Sequence, residues 1–380
     1  MKNLLFKITM FAIAAFAFVD FLSGGSIESG VAMAALPMVQ LRNLLTTQTI
    51  ALMKERVQPT SFLRSFFPSK TSMTKTVSVE VQRGTEKVAV DVIRGTNSNL
   101  NEFGRSTVRE YLPPLYDEYF VLSNLDVYDV AIGAQTPAAI ANVVETAAEK
   151  MILIKDKIER AIELQAAQVL QTGVITLSNG DNINFNRKAA SMVDINVGGN
   201  YWNTTGSDPI KDLENACIFL RKTGKAQGQV VNAIMGDTAL AAFLNDPAVK
   251  SRADIRNMNF DALAVGLRDA VGSVPIGQVN AGQYIVNIWS YSEFYDNAND
   301  VSTPYVATGN VIVMPTNTQF VTAFAAVPQL LSDGGQAPQR GEYLVQDYID
   351  ERGSNHEMRI KSAPLVIPVS IDRIYTMKVK

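Results

Sequence analysis

Apolar residues recur at threes and fours through 137–170. Ile140, Val143, Val144, Ala147, Met151, Ile154, Ile158, Ala161, Ile162 and Val169 share one face, with Gln165 in register. Glu145, Glu149, Lys155, Lys157, Glu159 and Arg160 fall mainly between them. This is the spacing of one face of an α-helix. Thr136 can cap its start, and Pro137 stands at the first helical position, where a missing N–H costs nothing. Gly173 can close it. A helix of about 34 residues is about 50 Å long, roughly three times the average length. It predicts a spine or a coiled coil.

Elsewhere the period is two. Val77, Val79 and Val81 alternate with Ser78 and Glu80, and Val88, Val90 and Val92 with Ala89 and Asp91. Arg83-Gly84-Thr85 between the runs predicts a hairpin turn. Asn179-Gly180-Asp181 predicts another, between Val174, Ile175, Leu177 and Ile183, Phe185. Arg352-Gly353-Ser354 predicts a third, between strands 343–350 and 356–361, and strands 366–369 and 374–379 follow. Residues 210–310 alternate. A helix over 211–222 places Leu213, Ala216, Cys217 and Leu220 on one face, and 229–235 is a buried strand. A helix from Asp237 to Leu244 is broken by Asn245-Asp246-Pro247. Segment 258–271 is mixed with helical character, 284–289 is apolar, 291–301 is an acidic loop and 311–314 is a strand. The polar stretch 198–209 around Trp202 reads as a linker between lobes. The pattern predicts an α+β chain with one lobe inserted into another.

Three segments fit neither period well. Residues 39–57 carry Leu41, Leu44, Leu45, Ile50, Leu52 and Met53, a short helix or arm ended by Pro59. A dense apolar knot with one arginine follows, Ser61-Phe62-Leu63-Arg64-Ser65-Phe66-Phe67-Pro68. Residues 95–117 are polar and aperiodic, with Arg94, Glu102, Arg105, Arg109 and Glu110 around Gly104. So long a loop is either a surface loop or an arm that orders on a neighbour. At the N-terminus, Lys2 and Lys7 flank the start of an apolar run over 8–19, and Ala32-Met33-Ala34 comes later. These are the parts of a secretory signal, too short to span a bilayer. The competing reading is an arm packed against neighbouring subunits.

Composition narrows the chemistry. The chain has 380 residues, 47% of them hydrophobic and 19% charged, enough to bury a sizeable core. A net charge of −3 is too balanced to coat nucleic acid. One cysteine excludes an internal disulfide and a cysteine metal cluster. One histidine, His356, makes most histidine-based catalysis improbable. No G-x-S-x-G, P-loop, H-E-x-x-H or C-x-x-C motif occurs. Asp126 with Asp129, and Asp347 with Asp350, are carboxylate pairs of a kind common on solvated surfaces. Cys217 reads as a small buried hydrophobe. Arg94, Arg105 and Arg109 alternate with Glu102 and Glu110, which favours ion pairs with protein over phosphate binding.

The order of these features resembles a known family. The run Phe62-Leu63-Arg64-x-Phe66-Phe67 follows a short helix; valine-rich strands, a long polar loop, a spine helix and an inserted α/β lobe come next. Asn317-Thr318-Gln319 and the closing Lys361-Ser362-Ala363-Pro364-Leu365 complete the match. Together they resemble the lambda-like major capsid proteins of tailed phages, the capsid protein E family, from Met38 to the C-terminus. The resemblance implies a Hong Kong 97-like fold: an N-arm over 38–74, an extended E-loop over 75–120, a peripheral domain over 121–208 and 335–380, and an axial domain over 209–334. Residues 1–37 are an addition to that pattern. It implies a structural protein, without enzyme activity, cofactor or metal, that forms hexamers and pentamers of itself and encloses double-stranded DNA in a virion assembled in the host cytoplasm. A decoration protein, a portal and a scaffold are the further partners, and no membrane is involved. The expected subunit-interface residues are Leu41, Leu44, Leu45, Phe62, Arg64, Phe66, Phe67, Arg94, Glu102, Arg105, Arg109 and Glu110. The alternative is an exported binding or structural protein, motivated by the signal-like N-terminus.

Overall fold

The computed structural model describes residues 59–82, 106–123, 137–177, 180–195, 201–204, 206–228, 230–253, 258–259, 272–297, 299–330, 336–349 and 355–380. The periodic stretch forms one α-helix, Pro137–Gln171. Its apolar face is enclosed: Met151, Ile158, Ile162, Ala166, Val169 and Leu170 are all buried. Leu153, off that face, is 57% exposed. Gly173 takes a positive φ of 74°, and the amides of Thr172 and Gly173 close the last turn on Gln168 and Val169.

The chain divides into two compact units. The first comprises Met1–Val57, Asp117–Lys155 and Val345–Ile360. Strands Leu344–Ile349, Asn355–Ser362 and Tyr116–Ser123 form a three-stranded sheet with the middle one at its centre. The first two are the neighbours expected around the 352–354 turn, whose residues lie outside the described set. Arg359 lies over the Tyr119 ring at 5.2 Å and pairs with Asp117 at 3.5 Å and Glu357 at 3.0 Å.

The second unit holds Gln58–Tyr116, Asp156–Leu344 and Lys361–Lys380. Its largest sheet runs in the order Met192–Asp194, Tyr375–Lys378, Asn310–Pro315, Val230–Met235, Tyr284–Ser290, Val274–Ala281, Met258–Asn259. Alternate residues of these strands, among them Val231, Ala233, Met235, Val286, Ile288, Val311 and Val313, pack with Leu213, Ala216, Cys217 and Leu220 of helix Pro209–Lys222. That helix is capped by Asp208, which accepts from Lys211 N–H, and Pro209 occupies its first turn. The short helices Asp237–Asn245 and Pro247–Ala253 flank the predicted break. Asp246 is the joint: fully buried, it accepts from the amides of Asn203 and Ala248 and from the Ser207 hydroxyl. Burial pushes the Cys217 thiol up to about 12, in keeping with a small core hydrophobe.

Two expectations need correction, and two strands go unmarked by the pattern. Trp202, in the stretch read as a polar linker, is core instead: it is 1% exposed, packs on Phe243 and donates to Asp212 at 2.9 Å. Strand Val77–Gln82 pairs antiparallel with Ser106–Tyr111, and the expected turn at 83–85 and run 88–92 lie outside the described residues. The second half of the aperiodic polar stretch is therefore strand, and 83–105 lie outside the described residues. Strand Val274–Ala281 escapes the pattern because a register shift between Pro275 and Gly277 breaks its alternation. Strand Phe320–Phe324 escapes it because it lies between Ser69–Thr71 and Pro364–Pro368 and is buried on both faces. The Asn179-Gly180 hairpin forms as expected, Val174–Thr176 against Asn182–Asn184.

Candidate assembly site

The knot at 61–67 folds as a single helical turn, Phe62–Ser65, whose Ser61 makes no side-chain cap. A helix start leaves free N–H groups that need acceptors. Glu163, from the spine helix, supplies them: its carboxylate accepts from Leu63 N–H at 2.8 Å and Arg64 N–H at 2.9 Å. The Tyr291 hydroxyl donates to the same carboxylate at 2.8 Å. Burial raises Glu163 to about 7, against the lowering effect of those hydrogen bonds. Around this centre Phe62 meets Trp289, Tyr291 and Phe66 with ring centroids 5.2–5.7 Å apart. Phe67 stacks on Phe320 at 4.8 Å, and Thr322 donates to the Phe67 carbonyl. Arg64 reaches Tyr343 Oη at 3.2 Å and pairs with Glu159 and Glu342 at 3.7 Å.

The knot is thus a plug in its own chain. Phe62 and Phe67 are 0% and 1% exposed, so they offer no surface to another subunit in this conformation. Arg64 and Phe66 are partly covered. Phe62 and Phe67 are thus internal, and Arg64 finds intrachain partners as well.

The closing Ser362-Ala363-Pro364-Leu365 run is equally internal. Gln165 of the spine helix accepts from Val366 N–H at 3.2 Å and donates to Tyr116 Oη at 2.9 Å. Ser362 donates to the Glu342 carbonyl at 2.6 Å. At the far end of the helix, Arg187 donates to the carbonyls of Leu170 and Gln171, to Ser191 and to Thr376. Burial lowers this guanidinium to about 10. A cation at a helix C-terminus also suits the helix dipole. Neither Glu163 nor Arg187 figures among the expected functional residues. The signal for Glu163 is an acid beside Ile162 on the buried face; Arg187 has no comparable signal.

The loop charges fall in two groups. Arg94, Glu102 and Arg105 lie outside the described residues, as do the arm leucines Leu41, Leu44 and Leu45. Arg109 and Glu110 are exposed on strand Ser106–Tyr111. Glu110 accepts from Thr76, and Asn186, with its carboxamide oxygen turned toward the guanidinium, accepts from Arg109 at 2.9 Å. Tyr111 packs on Phe185 at 5.1 Å, which pins the base of this hairpin. Beside it Val108, Leu112 and Leu115 are 62%, 57% and 51% exposed.

Among the described residues no cluster of three His, Cys, Asp or Glu side chains could hold a metal ion, and no helix is long and apolar enough to cross a membrane. Asp126, Asp129, Asp350 and the side chains of Asp347 and His356 are outside the described set.

A family model described as phage major capsid protein E matches residues 45–379. A search of curated proteins gives no match. Among solved structures, the chain resembles a prophage protein of Escherichia coli CFT073 assigned as its capsid protein. The TM-score is 0.62 at 13% identity, over 88% of this chain and 99% of that one. It also resembles a phage-related protein of Bordetella bronchiseptica RB50, with a TM-score of 0.50 at 12% identity, over 88% and 96% of the two chains.

Proposed function

The chain belongs to the phage major capsid protein E family, and from that premise we propose how its parts serve the head. It has the Hong Kong 97-like phage capsid fold. It is a major capsid protein that forms the icosahedral phage head, and the virion is its location. The observation that carries this reading is the family match over 45–379, which takes in residues of both compact units. The export alternative is not favoured, since that match describes the body of the chain as capsid. Family and fold point to a structural, non-enzymatic protein.

Assembly is the function, and self-contact is its mechanism. We assign the E-loop to 75–120, with the pinned hairpin Val77–Gln82 and Ser106–Tyr111 as its base and its exposed apolar side chains as the part that meets a neighbour. We assign 38–74 to the N-arm, 121–208 and 335–380 to the peripheral domain around the spine helix, and 209–334 to the axial domain. Strand Tyr375–Lys378 belongs to the same sheet as Val230–Met235, so the line between those two domains runs through a continuous sheet. Hexamers and pentamers of the chain would enclose double-stranded DNA, with a decoration protein, a portal and a scaffold as accessory partners. A shell wall with little net charge surrounds DNA without gripping it, and −3 per chain fits that need. Arg94, Glu102, Arg105, Arg109 and Glu110, with the arm leucines Leu41, Leu44 and Leu45, remain the interface residues of this proposal.

The test is deletion of 97–105 from the full chain. The expected product is a folded subunit that makes no closed shells, while the intact chain makes shells visible by electron microscopy. Normal shells from the deletion variant would remove the E-loop assignment without touching the family.

A further inference from the structure

Glu163 is 0% exposed, yet among the described residues its carboxylate has only neutral hydrogen-bond partners: two backbone amides of the knot and the Tyr291 hydroxyl. The Arg64 guanidinium attracts it from a distance, but its ion pairs go to Glu159 and Glu342. A buried charge held only by neutral donors is costly. One partner can accommodate a proton. A phenol both donates and accepts, so a protonated Glu163 can donate to Tyr291 Oη while its remaining lone pairs still receive the Leu63 and Arg64 amides.

We propose that Glu163 is a proton-linked latch: with a proton on its carboxyl it holds the 61–67 knot firmly on the spine helix, and loss of the proton weakens that hold. The sign follows from linkage. In the closed latch burial raises the group to about 7. Once the knot lifts and water reaches the carboxyl, it returns to the ordinary value of about 4.3. The closed form therefore binds the proton more tightly. Its added stability is complete below about pH 4 and is lost as pH rises through about 7.

The groups coupled to Glu163 are Arg64 on the knot and Tyr291 and Tyr305 beyond strand Tyr284–Ser290; Glu293 acts on both tyrosines, Arg160 on Tyr305, and Glu159 of the same helix pairs with Arg64. Burial pushes both tyrosines upward, away from the range in which the latch works. The knot is where the preceding residues join the described core, and Thr60 adds a second, longer tie to Glu293 at 3.4 Å. The latch so governs how firmly that junction is seated. This inference does not rest on the capsid reading.

The test is amide hydrogen exchange of peptides covering 61–67 in the full chain, corrected for intrinsic rates, from about pH 5 to about pH 9. Protection should fall by about tenfold or more across that range. The variant Glu163→Gln, a neutral isostere, should show a flat profile. The variant Tyr291→Phe removes the phenol from both protonation states of Glu163 and should move the midpoint. A flat wild-type profile overturns the latch, as does a Glu163→Gln profile that follows wild type. If Glu163→Gln does not fold, Tyr291→Phe decides, and an unmoved midpoint overturns the proposal.

Discussion

Arg187 and Thr376 meet at the end of the spine helix, 189 positions apart in the chain: Nη2 of the arginine donates to the threonine hydroxyl at 2.8 Å. The same hydroxyl donates to the Leu170 carbonyl at 3.0 Å. With its bonds to Leu170, Gln171 and Ser191, Arg187 spends five donated hydrogen bonds on neutral acceptors. Replacing it with Met strands several buried carbonyls and should cost about 3 kcal/mol or more. Arg187→Lys keeps the charge but not the planar fork, and should cost about 2 kcal/mol. Denaturant midpoints of the dissociated subunit measure both, and a Met variant as stable as wild type would refute the clamp.

How much of this was legible in the sequence depends on distance along the chain. The spine helix is local, and its period carries it to within one residue of its C-terminal end. The pairing of Val174–Thr176 with Asn182–Asn184 is local too, and it forms as read. The knot is different. Its aromatic residues look like a surface feature, because the carboxylate that caps its turn lies 99 and 100 positions away. Arg187 is hidden for the same reason: nothing near Asn186 and Lys188 announces a helix terminus and a C-terminal strand as partners. Ser106–Tyr111, which pairs with Val77–Gln82, falls in a stretch without period two, because pairing at that distance along the chain is set by contacts beyond the local pattern.

Gly173 tests the same corner from the backbone side. Its φ is +74°, and a Cβ there would stand 2.8 Å from Arg187 Cβ. Gly180 also has a positive φ, +87°, but a Cβ there meets nothing within 4 Å. Gly180→Ala therefore incurs conformational strain alone, about 1 kcal/mol. Gly173→Ala adds a clash with a clamped side chain, and should be worse by about 1 kcal/mol or more. Equal thermal midpoints for the two variants would contradict this account.

Cys217 is buried at 1% exposure, and burial together with nearby Glu214 pushes its thiol up to about 12. Thiolate is the reactive form, so little reagent-competent sulfur exists at neutral pH. An aromatic disulfide reagent should label the folded subunit at least about 100-fold more slowly than the denatured chain. Rapid native labelling would mean that helix Pro209–Lys222 opens readily from the sheet.

The exposed apolar side chains beside the hairpin separate folding from assembly. Val108 is 62% exposed and Leu112 57%, so neither contributes much to the subunit core. Val108 faces Glu80 across the strand pair, and the pair itself is held by Tyr111 against Phe185 and by Arg109 against Asn186. Substituting Asp at either position leaves those anchors in place, and the stability of the dissociated subunit should fall by no more than about 1 kcal/mol, the larger share at Val108 opposite Glu80. In a shell the same side chains would lie against a neighbour, where a new carboxylate meets apolar surface and must be desolvated without a partner. The double variant Val108→Asp with Leu112→Asp should then sediment as small oligomers and yield no closed shells, whereas Val108→Thr, smaller in its effect on polarity, should retain them. Thermal denaturation of the subunit checks the first half and electron microscopy the second. Closed shells from the double variant would place the subunit contact elsewhere than this face of the hairpin.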